Sequence, residues 1–454
     1  MQTIQAEQAL VRGAWMRDVT VEIDADGRIG AIGQEAAPGA IRVGALLPAP
    51  ANLHSHAFQR AMAGMTERRG PTGRDTFWTW RKLMFRFLDA LTPDDIEAIA
   101  AFVQMEMLEA GFSAVGEFHY VHHQPDGRPY GDLAELSGRI AAAAEDSGIG
   151  LTLLPVLYQQ AGCDGAPLGP GQVRFGNHID RFARLLDGAA ERVAGLPADT
   201  RVGVAPHSLR AVSPDGLAAA IDLAPGGPIH MHLAEQTGEV DEVLAAYGRR
   251  PVEWLLDNHD VDARWCLVHC TQMTDGETAA LAATGAVAGL CPITESSLGD
   301  GIFNGVAYLA DGGRFGIGSD SDIRIALAEE LRTLEYSQRL RDRGRAILAS
   351  DTKSTGRVLF EGAARGGAQA TGRGSGEIDV GQWADLVALD TGHADLEDRR
   401  GDDLLDSFIF AGDNGMVADL WSAGRHVVRG GRHIRRDAIE RGYRMTMRSL
   451  RERI

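Results

Sequence analysis

Eight short apolar runs, each followed by an Ala-, Leu- and Glu-rich stretch, dominate the middle of this chain and leave it few folds to choose from. The runs are GALLPAPANLHSH, SAVGEFHYV, GLTLLPVLY, RVGVAPHSL, PIHMHLAE, RWCLVHCT, AVAGLCPIT and RFGIGSDSD. Runs this short and this continuously apolar suit strands covered on both faces. The segments between them, such as Pro93 to Ala110, Leu133 to Ser147 and Gly238 to Tyr247, have helical spacing. Eight strand–helix repeats predict an α/β fold, a parallel (β/α)8 TIM-like barrel. The competing open, doubly wound sheet lacks its usual glycine fingerprint, because no GxGxxG follows the first run.

The two ends read differently from the middle and like each other. DVTVEIDADGRIGAIG alternates apolar and polar residues around Asp-Gly turn signals. DVGQWADLVALD and VADLWSAGRHVVRGGRHI return to that character near the C-terminus. The expectation is a small β-sandwich domain from both termini, residues 1–47 with 378–454, beside a barrel domain of residues 48–377.

Polar residues collect at the C-terminal ends of the runs. They are His54 and His56; Glu117, His119 and Tyr120; His207 and Ser208; His232 and Glu235; His269; and Asp320 and Asp322. A barrel places its active site at that face, assembled from several strand ends. Packing accounts for one such histidine more easily than for six polar ends in eight. His54 and His56 are two residues apart, so on a strand they project to one side. With a later His and an Asp they make a three-nitrogen, one-oxygen set suited to Zn2+ or Fe2+, with a position open for water. The H-x-H pair alone is a weak signal, since His230 and His232 form a second one.

Composition narrows the partners. The chain of 454 residues carries a net charge of −18, which repels phosphate backbones and argues against nucleic acid. No apolar run approaches the roughly 18 residues of a membrane span, and no basic, apolar leader opens the chain, so no membrane association and a cytoplasmic address are expected. The four cysteines form no CxxC pair and read as reduced thiols.

The ordered set HSH, HLAE, VHCT and GSDS resembles the amidohydrolase superfamily, in its mononuclear deaminase branch. NLHSHAFQRAMAG, PHSLRAV, HMHLAEQ and CPITESSLGDGIFN look like the formimidoylglutamate deiminases of histidine degradation, and the likeness runs the length of the chain. It implies metal ligands His54, His56, His232 and Asp320, holding one Zn2+ per chain, with Fe2+ as the alternative ion. It implies Glu235 as proton shuttle, Asp320 as acceptor of the water proton, and His269 as either a ligand or a partner of the bound water. Substrate contacts fall on Gln59, Arg81, Tyr120, His207 and Arg210. The implied substrate is a small dicarboxylate, N-formimidoyl-L-glutamate, converted to N-formyl-L-glutamate and ammonia, and the implied assembly is a homodimer. Binuclear relatives need a bridging carboxylated lysine. The only lysines here, Lys82 and Lys353, lie at no run end. The competing readings are a mononuclear deaminase of an aromatic amine, such as guanine or a modified adenosine, and a barrel kept for binding alone. Asp322 reads as a cap for the segment after it and His230 as a packing residue; the length of residues 57–90, with Gly64, Gly70 and Gly73, permits a movable lid without requiring one.

Overall fold

The computed structural model describes residues 2–35, 38–67 and 76–454. Gly70 and Gly73, on which the lid reading leans, lie outside them. The chain opens with β1 (Gln2–Val11), β2 (Ala14–Ile23), β3 (Ile29–Gly33) and β4 (Ile41–Pro48). A two-residue turn joins β1 to β2, with Arg12 and Gly13 both at positive φ, 49° and 73°. That backbone matches the twist of a hairpin, and Gly adopts it at no steric cost.

The barrel strands follow as β5 (Ala51–Ser55), β6 (Ala114–His119), β7 (Gly150–Leu157), β8 (Arg201–Val202), β9 (Ala205–Pro206), β10 (Ile229–Leu233), β11 (Trp265–His269), β12 (Val287–Leu290) and β13 (Arg314–Ile317). β8 and β9 are two pieces of one interrupted strand beside β7. All pairings among these strands are parallel, in the orders β5-β6-β7-β8 and β10-β11-β12-β13. Main-chain bonds join the two sheets at both seams. At one, His230 N–H donates to Val204 O and His232 N–H to His207 O, both at 3.0 Å. At the other, Asp320 N–H donates to His54 O and His56 N–H to Asp320 O, both at 2.9 Å. Every residue of β6, β7, β10, β11 and β12 is buried, which is why these runs show no alternation. Capping residues start the covering helices: the side chains of Thr92, Ser213 and Thr274 accept the free N–H groups of Pro93–Glu109, Pro214–Asp222 and Asp275–Ala282.

The chain returns to its first sheet with β14 (Leu386–Leu389), β15 (Val417–Ser422), β16 (Arg425–Arg429) and β17 (Arg432–His433). The order is β17-β16-β15-β14-β4-β1-β2-β3, so β4 sits between the two ends of the chain. The sheet curls back on itself: Ile29 N–H reaches Gln382 O and Ala384 N–H reaches Gly27 O, each at 2.9 Å. Ile4, Val19, Val21, Leu46, Leu386 and Trp421 share its interior.

A buried charge cluster ties this sheet to the barrel. Arg373 lies between Asp199 at 2.7 Å and Asp385 at 2.5 Å, and Arg425 adds a second guanidinium to Asp199 at 2.7 Å. Burial pushes the Asp199 carboxyl up, but the two arginines outweigh it and hold it at about 2. Among the described residues no helix is long and apolar enough to cross a membrane.

Candidate active site

The seam bonds bring the polar strand ends together. His54 and His56 are locked to Asp320 through the main chain, and His232 to His207. The ligand atoms of His54, His56, His232 and Asp320 all lie within 4.8 Å of one another, and all four residues are buried. Asp320 Oδ1 is 3.4 Å from His54 Nε2 and 3.3 Å from His56 Nε2. A tetrahedral ion with bonds of about 2.1 Å spaces its ligand atoms by about 3.4 Å.

The ring orientations fit an ion as well. His56 Nδ1 is 3.0 Å from Phe118 O, and His232 Nδ1 is 3.2 Å from His207 O. Donating Nδ1–H to a carbonyl leaves the Nε2 lone pair for a metal. Neither ring nitrogen of the buried His54 has a hydrogen-bond partner among the described residues. A core histidine seldom stays in that state, whereas a metal ligand requires a free lone pair. Burial, reinforced by neighbouring imidazoles, holds His54 and His232 well below the ordinary histidine value. Burial takes His56 down to about 3. All three rings are therefore neutral, the form that ligates. Burial raises the Asp320 carboxyl to about 7, so its carboxylate gains from a neighbouring cation.

Acid–base groups ring this cluster. Glu235 follows β10 on a turn that Glu239 holds: the Glu239 carboxylate accepts the N–H groups of Ala234 and Glu235, each at 3.0 Å. Ala234 needs such a clamp because its φ is 52°, in the left-handed region. His269 Nε2 is 4.0 Å from Glu235 Oε1 and 3.9 Å from Asp320 Oδ2. Its Nδ1 is 3.2 Å from Glu295 Oε1, which also accepts the Cys291 N–H at 2.8 Å. Burial pulls His269 down, but the carboxylates of Glu235, Glu295 and Asp320 outweigh it and raise it to about 10. Ala234, His269, Cys270, Asp320 and Asp322 all have positive φ and all lie at or just past strand ends here. Backbone strain of this kind collects at functional sites.

Above the cluster opens a cleft. Gln59, Arg81, Tyr120, His207 and Arg210 all line it, with His56, His232, Glu235, His269 and Asp320 at its base, while His54 lies beneath. Gln59 Nε2 donates to Tyr120 Oη at 2.8 Å. Arg81 lies on the helix Phe77–Ala90, and its Nη2 donates to Tyr158 Oη at 2.8 Å. Burial works against the Arg210 charge, but Glu239, Tyr158, Glu235 and Glu242 together outweigh the cost.

Three residues of this arrangement were not singled out from sequence. Glu239 and Glu295 lie in first helical turns, where carboxylates are ordinary. Tyr158 ends the third run, GLTLLPVLY, and is the one cue that could have found it. Asp322 does not cap a helix, contrary to expectation. It is buried, and its carboxylate accepts the hydroxyls of Ser55 at 3.0 Å and Ser319 at 2.5 Å. His230 points away from the cluster, with Nε2 at 2.7 Å from Ala370 O, as a packing residue should.

Comparison with known proteins agrees with this geometry. The Amidohydrolase family model matches residues 45–427, and a model described as the N-terminal domain of formimidoylglutamate deiminase HutF matches residues 1–41. A formimidoylglutamate deiminase of Pseudomonas aeruginosa is 50% identical over 98% of both chains. A 5-methylthioadenosine/S-adenosylhomocysteine deaminase of Natronomonas pharaonis is 29% identical over 76% of this chain and 73% of its own. Among solved structures, an amidohydrolase from Brucella melitensis superposes with a TM-score of 0.95 at 48% identity, covering 99% of this chain and 100% of that one. A zinc-bound adenosine deaminase from Xanthomonas campestris, at 21% identity and TM-score 0.82 over 99% of this chain and 98% of its own, shares the fold. A family match across most of the chain and a half-identical relative along nearly all of it leave one assignment: this chain belongs to the amidohydrolase family.

Proposed function

We infer that this protein is a formimidoylglutamate deiminase of histidine degradation, hydrolysing N-formimidoyl-L-glutamate to N-formyl-L-glutamate and ammonia. The observation that carries the reading is the 50% identity to the Pseudomonas aeruginosa formimidoylglutamate deiminase over 98% of both chains. The chemistry of the cleft supports it. Two arginines, Arg81 and Arg210, line a pocket whose base is the His3Asp cluster. A dicarboxylate needs such local cations to enter a chain of net charge −18.

His54, His56, His232 and Asp320 would hold the ion, Zn2+ in this reading, which activates water and polarises the amidine carbon. Arg81 and Arg210 fork onto the two carboxylates and aim the formimidoyl group at the cluster. Asp320 accepts a proton from the attacking water. Glu235 carries that proton to the departing nitrogen and carries the second, taken from the new hydroxyl, the same way, so both water protons leave in ammonia, the oxygen stays on carbon, and both carboxylates return to their starting states. Glu239 holds Glu235 in register. His269, between Glu235 and Asp320, donates from Nε2 to stabilise negative charge as the carbon becomes tetrahedral. Gln59, Tyr120 and His207 complete the wall around the substrate.

The same reading gives one ion per chain. It is supported by the lysines: neither Lys82 nor Lys353 lines the cleft, and Lys353 pairs with Glu361 at 2.6 Å. It makes the enzyme a cytoplasmic homodimer, with domains dividing at 47/48 and 377/378.

Product analysis tests the reaction. Proton NMR of the protein with N-formimidoyl-L-glutamate should show N-formylglutamate and ammonia in equal amounts. Formamide with free glutamate would mean that the other carbon–nitrogen bond is cut and that the proposed proton route is wrong.

A further inference from the structure

Tyr158 stands at the C-terminal end of β7, 2% exposed, with its side chain on the cleft wall. Two donors meet its phenol oxygen: Arg81 Nη2 at 2.8 Å and Gln172 Nε2 at 2.9 Å. The Gln172 amide is oriented by its other end, since its Oε1 accepts the Gly169 N–H at 3.0 Å. A tyrosine hydroxyl has one proton to give and lone pairs to receive with. Here the lone pairs are filled, so the hydroxyl acts as a donor. No described residue accepts its proton in a hydrogen bond. The ring is packed against His207, 4.7 Å between centroids, which holds the phenol oxygen in place on the wall. Arg81, beside it, also offers donors only. Two adjacent groups that only donate match a ligand group that only accepts, and a carboxylate is that group.

We propose that Tyr158 is a substrate-binding residue whose hydroxyl, kept a donor by Arg81 and Gln172, joins Arg81 on one substrate carboxylate and selects carboxylate over carboxamide there. The inference rests on the deiminase reading and deepens it. A carboxamide at that end would turn an NH2 group toward donors, and a mismatch among buried polar groups discriminates strongly. Gln172 acts through the tyrosine and is a positioning residue.

The test uses the metal-loaded full chain and three substrates: N-formimidoyl-L-glutamate and its α- and γ-carboxamides. In Tyr158→Phe, KM for the diacid should rise about ten- to a hundredfold, the worth of one hydrogen bond to a charged group. The kcat should change little, because the lost contact is remote from the amidine. The preference for acid over amide should fall by the same factor at one of the two ends. A packing role would instead weaken acid and amide alike and leave both ratios unchanged. Gln172→Met gives a second route, since it frees a lone pair on Tyr158 without touching substrate and should raise the carboxamide relative to the acid. Unchanged ratios in both variants of an active enzyme would overturn the inference alone. A wild-type protein inactive on the diacid would overturn the deiminase reading and the inference with it.

Discussion

Replacing Glu239 by Gln should cripple turnover while leaving metal and fold in place. The Glu239 carboxylate uses one oxygen for the Ala234 N–H and the other for the Glu235 N–H, each at 3.0 Å. A carboxamide keeps one acceptor and turns an NH2 group toward the second N–H. That buried donor then goes unsatisfied, at a cost of about 1–3 kcal/mol. The nearest relief is rotation of the peptide between Ala234 and Glu235, because Ala234 already sits in the left-handed region with φ of 52°. Such a rotation carries the Glu235 carboxylate with it. A displacement of about 1 Å at a reacting group costs on the order of a hundredfold in rate. The kcat for ammonia release from formimidoylglutamate should therefore fall about ten- to a hundredfold. The assay is steady-state ammonia release, with metal content measured on the same sample. KM is a poorer readout, because Glu239 also faces Arg210. A kcat within about twofold of wild type, at full metal content, would refute the clamp and the role given to Glu235.

Other expectations follow from the same geometry. Arg210→Lys keeps the charge but loses the fork, so KM for formimidoylglutamate should rise about ten- to a hundredfold with kcat nearly unchanged, as steady-state kinetics will show. Exhaustive chelation should remove one ion per chain together with all turnover, and one equivalent of Zn2+ should restore it; activity that survives complete removal contradicts the assignment of His54, His56, His232 and Asp320. Asp199, held at about 2 against an ordinary 3.8, contributes about 2 kcal/mol that is fully present above pH about 4 and is lost as pH falls through about 2. The stability gap between wild type and Asp199→Asn should accordingly narrow by about 1 kcal/mol from pH 5 to pH 3 in urea unfolding, whereas a constant gap would mean the pairing with Arg373 and Arg425 is not what depresses the group.

The barrel and the candidate metal set were readable in the chain because each ligand sits at or just past the end of a buried strand. A strand end is a local feature, visible as an apolar run that stops at a polar residue. His54 and His56 share one such end, two residues apart, and His232, His269 and Asp320 each mark another. What was not readable depends on which group a polar side chain turns to, a choice that local pattern does not set. Nothing local says that Glu239 turns back onto the N–H of Ala234, or that Glu295 reaches the ring of His269, 26 residues away. Both look like solvated first-turn carboxylates. Asp322 misled for the same reason: its partner Ser55 is 267 residues distant. The terminal sheet was legible as strands from both ends. Its order was not, since β4 slots between β1 and β14, and its pairing with β14 spans most of the chain.

This amidohydrolase cleft, with Arg81 and Arg210 on its wall, suits a dicarboxylate amidine rather than a nucleobase. The direct measurement is kcat/KM for ammonia release from N-formimidoyl-L-glutamate beside 5′-methylthioadenosine, S-adenosylhomocysteine, guanine and 8-oxoguanine, with one metal-loaded preparation. Formimidoylglutamate should turn over, and the others should release ammonia at no measurable rate. Efficient release from any purine, with formimidoylglutamate left intact, would keep the metal chemistry and contradict the roles given to Arg81 and Arg210.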